Sequence, residues 1–254
     1  MEFRQAAVGP EWPEWDAFVQ SAVGGHHVQT SLWAQVKATV GWEPFWVVVR
    51  RGDRIVCGVQ LLSRQVGRLG RVAYGAKGPL SEAADPWGLD LLLRELDRLG
   101  HAARWVQSAI GAAPLASVRL DLRESEDDLL AGMDRTRRKL ARNYERNGVV
   151  VRSGGESDMP LVYELLSATA RRRGFGIFPR QYYEVMFRVF SRKQRAELLI
   201  AYQDEEPVAA SLVLGYGDSR GTWLALRPPP RTRAPWSLTV AWNPLGQGIR
   251  IHLV

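Results

Sequence analysis

Phe45-Trp46-Val47-Val48-Val49-Arg50-Arg51-Gly52-Asp53-Arg54-Ile55-Val56-Cys57-Gly58-Val59-Gln60-Leu61-Leu62-Ser63-Arg64 reads as two strands joined by a tight turn. Aromatic and β-branched residues fill both arms, and Gly-Asp marks the reversal. Phe45 to Arg50 is the first arm, Arg51 to Arg54 the turn, Ile55 to Arg64 the second arm, and Arg71 to Tyr74 a third strand. The same pattern returns late in the chain. Glu197 to Tyr202 is a strand, Gln203 to Pro207 a turn, and Val208 to Gly215 and Thr222 to Leu226 complete the meander. The repeat is of pattern, not of letters. It predicts two similar α/β (α+β) domains in tandem, with a cleft between them where a site can form.

Helical spacing surrounds each meander. Trp12, Trp15, Phe18 and Ala22 share one helical stripe, and Thr30 or Ser31 can cap a second helix over Leu32 to Val40. Asp85-Pro86 opens a helix through Leu99, with Leu89, Leu92, Leu93 and Leu96 on its apolar side. Trp105 to Ala109 and Val118 to Leu122 read as further strands. A helix is expected over Leu129 to Asn147, closed by Gly148, then a strand over Val149 to Arg152. Further helices fit Met159 to Arg172 and Gln181 to Phe190, with a loop from Gly174 to Pro179. The expected domains are residues 1–125 and 126–226. Residues 227–254 begin with a proline run and show no helix or strand rhythm, so an irregular tail is expected there.

At 254 residues the chain can hold two ordinary domains. It has no run of about 18 apolar residues, and its N-terminus lacks the basic-then-apolar layout of a signal peptide. Its single cysteine, Cys57, cannot form an internal disulfide and sits where a small apolar residue packs in a strand. A cytoplasmic protein, with peripheral membrane association as an option, is the expectation. The net charge of +7 favours an anionic partner. Arginine enrichment alone can also raise the charge.

Strong catalytic signatures are absent. There is no G-x-S-x-G, no H-E-x-x-H, no Walker loop and no paired Cys. His26-His27 lacks partners at ligand spacing, so no metal is expected. Arg171-Arg172-Arg173-Gly174-Phe175-Gly176 matches the R-x-x-G-x-G pattern with which Gcn5-related acetyltransferases hold coenzyme A. Here the glycines follow a helix instead of opening one, and Gly174 reads as a helix C-cap. Arg135, Arg138, Lys139, Arg142 and Arg146 recur every three or four residues. Such a face is either solvated or laid against a phosphate-bearing substrate, RNA or a nucleotide-linked or lipid-linked diphosphate.

Four segments together resemble the FemAB family of peptidoglycan interpeptide-bridge aminoacyltransferases. Gln29-Thr30-Ser31-Leu32-Trp33-Ala34-Gln35-Val36-Lys37 with Gly41-Trp42 is similar to the family's Q-S-x-x-W-A-x-x-K…G-W. Tyr74-Gly75-Ala76-Lys77-Gly78-Pro79 is similar to its Y-x-P-R-G-P turn, with Ala76 and Lys77 replacing Pro and Arg. Arg135 to Leu140, through Asn147-Gly148-Val149, is similar to its basic helix. Thr169 to Phe175 with Arg180-Gln181-Tyr182-Tyr183 is similar to its T-x-x-R-x-x-F…R-x-x-Y-Y region. The resemblance implies two acetyltransferase-like (GNAT-like) domains, the second incomplete. It implies transfer of an amino acid from aminoacyl-tRNA, as co-substrate without another cofactor, to the peptide stem of a lipid-linked or nucleotide-linked muramyl-pentapeptide precursor. It places Lys37 and Arg180 against precursor phosphates and Tyr74 and Tyr183 beside the muropeptide. Arg135, Arg138, Lys139 and Arg142 become tRNA or phosphate contacts. The catalytic group stays unknown. The family's late motifs are only faintly echoed by Trp236 and Gly248, so a C-terminally truncated or frame-shifted copy, with activity in doubt, is the expectation. Two other readings remain: a coenzyme A-dependent N-acyltransferase and a non-catalytic RNA-binding module.

Overall fold

The structure, a computed structural model, describes residues 2–5, 11–82, 85–103, 106–107, 124–217, 219–225, 238–242 and 249–253. The chain divides into two compact units, Met1–Leu115 and Ala116–Val254.

In the first unit β1 (Glu2–Gln5) precedes α1 (Pro13–Ser21), α2 (Ser31–Ala38), β2 (Glu43–Arg51) and β3 (Arg54–Val66). Then come β4 (Gly70–Tyr74), β5 (Leu80–Ser81), α3 (Pro86–Ala103) and β6 (Val106–Gln107). The sheet order is β1-β2-β3-β4-β6, with β5 also paired to β3. All pairings are antiparallel except β4 with β6. The hairpin read from Phe45 to Arg64 is present and runs longer at both ends. Its arms are apolar almost throughout because both faces are covered. Val47, Val49, Val56, Cys57, Val59 and Leu61 pack with Leu92 of α3, against which Leu89, Leu96 and Leu99 also lie. On the other face Trp46 meets Trp12, 5.5 Å between ring centroids and edge-on, and Trp15 is fully buried. Asp85 starts α3 as expected, its Oδ1 accepting from the Gly88 N–H at 3.0 Å.

The second unit contains α4 (Glu126–Ala131), α5 (Arg135–Asn143), β7 (Val149–Gly154), α6 (Met159–Arg173), α7 (Arg180–Ser191), β8 (Ala196–Gln203), β9 (Glu206–Tyr216) and β10 (Ser219–Ala225). β7 to β10 form an antiparallel sheet in the order β10-β9-β8-β7. Tyr182, Met186 and Phe190 of α7 and Met159, Val162 and Leu166 of α6 are buried, as are Leu198, Ile200, Leu212 and Leu214 of the sheet. β11 (Leu238–Trp242) and β12 (Ile249–Leu253) pair antiparallel.

Two expectations change. The single helix over Leu129 to Asn147 is two helices, because Asp134 accepts from the Thr136 and Arg137 N–H groups, both at 3.0 Å, and caps a new start. Residues 238–242 and 249–253 pair as strands where no regular structure was expected. Alternating Leu, Val and Ile are too short a run there to announce a strand. The strand expected over Val118 to Leu122 lies outside the described residues, as does the proline run.

Candidate functional site

The first unit builds a cationic, aromatic patch from the Gln29–Lys37 motif. Thr30 caps α2. Its Oγ1 accepts from the Trp33 N–H at 3.2 Å and donates to the His27 carbonyl at 2.6 Å. Ser31 donates through its N–H and Oγ to the Asp16 carboxylate, at 2.7 and 2.6 Å, which fastens α2 to α1. Leu32, Trp33 and Val36 then face the core. Lys37 falls in the last turn, where the helix dipole favours a cation, and its Nζ lies 5.7 Å from the centre of the Trp33 ring.

Gly41, at φ +79°, turns the chain so that Trp42 comes back over α2, its N–H donating to the Lys37 carbonyl at 3.2 Å. The Arg64 guanidinium sits 5.0 Å from the Trp42 ring centre, and Trp42 meets Tyr74 edge-on at 4.8 Å. Lys37, Arg64, Trp42 and Tyr74 therefore form one cluster. Burial, then the neighbouring Arg64 charge, holds the Lys37 pKa below its usual value. Burial pushes the Tyr74 phenol up to about 12, so it stays a neutral hydroxyl donor at neutral pH. Two cations brought together around aromatic rings are relieved by an anion, and a diphosphate can engage both.

Gln29 holds this patch together. β5 pairs with Cys57 and Gly58 of β3, and β4 with Leu62 to Val66, leaving Val59 to Leu61 without a strand on that side. The buried Gln29 amide fills the gap. Its Oε1 accepts from the Gln60 N–H at 2.7 Å, and its Nε2 donates to the Gln60 carbonyl at 3.2 Å and the Ala76 carbonyl at 2.6 Å. The side chain thus acts as a short strand and ties down the Tyr74–Pro79 turn. Gly78 is required there by space, since a Cβ would lie 2.9 Å from Val59 Cγ2 and 3.0 Å from Gln29 Nε2. The sequence showed these residues as a motif without showing this task. Arg64 was also missed, since it ends a strand far from Lys37 in sequence and only the sheet brings it close.

In the second unit Arg180 begins α7 and pairs with Glu184 at 3.0 Å, its side chain 58% exposed. Tyr183 is buried, and its hydroxyl accepts from the Phe178 N–H at 3.3 Å. On α5, Arg138 reaches back to the carbonyls of Ala131 and Met133, both at 2.8 Å, and so closes α4. Arg142 lies 3.6 Å from Asp127. Arg135 and Lys139 are exposed, and among the described residues neither has an acidic partner. The Arg171–Gly176 segment ends α6. Gly174 is left-handed at φ +71°, and the Gly174 and Phe175 N–H groups both bond to the Ala170 carbonyl, at 2.8 and 3.2 Å. Those N–H groups are committed to the helix end and cannot cradle a pyrophosphate in the acetyltransferase manner.

Among the described residues, no cluster of three or more His, Cys, Asp or Glu side chains is placed to hold a metal ion.

The fold, mixed α/β with two largely antiparallel sheets, is similar to that of a crystal structure of FemX, with a TM-score of 0.71 at 16% identity over 91% of this chain and 81% of that one. Residues 111–212 match the family model described as the FemAB family, in line with the resemblance carried by the motifs. The chain is 21% identical over 229 residues to the Lipid II:glycine glycyltransferase of Staphylococcus haemolyticus (strain JCSC1435), covering 77% of this chain and 55% of the relative. It is 22% identical over 225 residues to that of Staphylococcus aureus (strain MRSA252), covering 75% of this chain and 53% of the relative. The chain thus spans about half the length of the curated relatives it matches.

Proposed function

We propose that this protein is an aminoacyltransferase that moves an amino acid from aminoacyl-tRNA to an amine on the peptide stem of a peptidoglycan precursor. The observation that carries the reading is that two mutually repelling cations, Lys37 over Trp33 and Arg64 over Trp42, lie together in a chain whose relatives are named Lipid II:glycine glycyltransferase. In this reading each unit is an acetyltransferase-like fold. Lys37 and Arg64 take the precursor diphosphate, and the Tyr74 hydroxyl donates to a neighbouring acceptor. Arg180 is a second phosphate contact in this scheme, and Tyr183 shapes its surroundings by holding the Phe178 backbone. Arg135 and Lys139, with Arg138 and Arg142 beside them, offer charge to tRNA.

The chemistry suits a site without a strong motif. The amine nitrogen attacks the ester carbonyl, the new amide bond forms, and the bond to the tRNA ribose oxygen breaks. The attacking amine loses a proton as that oxygen gains one. The ester is already activated, so holding the two reactants in line can supply up to about 7–11 kcal/mol of the acceleration.

The test is transfer of a labelled amino acid from charged tRNA to a lipid-linked or nucleotide-linked muramyl pentapeptide. No transfer to either acceptor, with precursor binding also absent, refutes the reading. Acetyl-coenzyme A raising the melting temperature would instead favour the coenzyme A reading.

A further inference from the structure

We infer that the turn between α6 and α7 is a docking surface for the anionic face of a lipid bilayer. Residues 171–183 read Arg-Arg-Arg-Gly-Phe-Gly-Ile-Phe-Pro-Arg-Gln-Tyr-Tyr, with four cations and no acid. Phe175 is 46% exposed and Phe178 41% exposed, two of the few large apolar side chains in the described residues that face solvent. Arg171 and Arg173 are exposed beside them, as is Arg180, which pairs with Glu184 just past the segment.

This turn is held in shape. The Gly174 and Phe175 N–H groups bond to the Ala170 carbonyl, the Tyr163 hydroxyl donates to the Phe178 carbonyl at 3.2 Å, and the Phe178 N–H donates to the Tyr183 hydroxyl. The Phe178 ring stacks on Tyr182, 4.3 Å between centroids. A fixed apolar tip with an arginine collar is the arrangement that enters the headgroup boundary, rings toward the acyl chains and guanidinium groups at the phosphates. Single-stranded RNA fits less well. One face of Phe178 is already covered by Tyr182, and the aliphatic Ile177 between the two Phe residues offers no surface for base stacking.

The inference does not depend on the transfer reaction. Its test is co-sedimentation of the full chain with phosphatidylcholine vesicles that contain or lack phosphatidylglycerol. Wild type should partition onto the phosphatidylglycerol vesicles, less so in high salt. Phe175→Ser should weaken partitioning about tenfold, the cost of leaving one Phe side chain in water. Arg171→Gln should weaken it about fivefold on anionic vesicles only. Both side chains are exposed, so circular dichroism and binding of the soluble nucleotide-linked precursor should stay as in wild type. Absence of wild-type partitioning, or equal partitioning of Phe175→Ser and wild type, overturns the inference. So does a Phe175→Ser variant that loses tRNA binding while keeping its hold on vesicles.

Discussion

Gln29→Leu should cost the first unit most of its margin of stability. Leucine fills nearly the same space but supplies neither acceptor nor donor. The Gln60 N–H and the carbonyls of Gln60 and Ala76 lose their partners in a buried position. Each orphaned group costs about 1–3 kcal/mol, so the sum is about 3–6 kcal/mol after partial relief by water. Domains hold about 5–15 kcal/mol in total. Urea unfolding followed by tryptophan fluorescence reads the first unit well, because Trp15 donates its indole N–H to the Gln29 carbonyl at 2.5 Å. With a slope of about 1–3 kcal/mol per molar urea, the midpoint should fall by at least about 1 M. Gln29→Glu gives a sharper contrast. Its carboxylate keeps one acceptor but faces two carbonyls, so its folded pKa is raised and stability should recover as pH falls and the acid can donate. A loss under about 1 kcal/mol for Gln29→Leu would refute the view that this amide stands in for a strand.

Lys37→Ala should weaken precursor binding by about 1.5–3 kcal/mol, the worth of one charge-assisted hydrogen bond, and unchanged affinity by calorimetry would remove Lys37 from the site. Arg64→Gln should weaken it comparably and let the Lys37 pKa rise part of the way back, since burial remains; a lysine titration by NMR that does not move would separate the two cations. Burial, and secondly His26, pushes the His27 pKa down from 6.5 to about 3. The unfolded chain therefore binds the extra proton first, and stability is full above about pH 6.5 and declines as pH falls toward 3. The decline is on the order of 4–5 kcal/mol. His27→Phe should flatten that profile in acid-unfolding curves. Cys57 is fully buried and its thiol is pushed up to about 11 by burial and by Asp85, so a thiol reagent should label it only after unfolding; rapid labelling of the native protein would contradict this.

Much of the fold is written locally. The Arg51–Arg54 and Gln203–Pro207 turns, the Thr30 and Asp85 caps and the Gly174 helix end all depend on residues within four positions of one another, and each occurs where the sequence put it. The same locality explains the missed break at Asp134. An Asp in a long basic stretch reads as one more polar position until its carboxylate is seen capping Thr136 and Arg137. It explains the basic face as well. Arg138 and Arg142 look free on a helical wheel, yet each is engaged by the neighbouring short helix.

The sequence by itself determined the strands of the two meanders, most helix limits and the motif residues, because hydrophobic period, capping and turn chemistry act over a few residues. Only the tertiary structure decided what those motif residues do. It alone placed Arg64 beside Lys37, set Trp42 between Arg64 and Tyr74, and opened the gap in β3 that Gln29 fills. Those contacts follow from strand register and loop packing, which join residues far apart in the chain, and no local pattern encodes them.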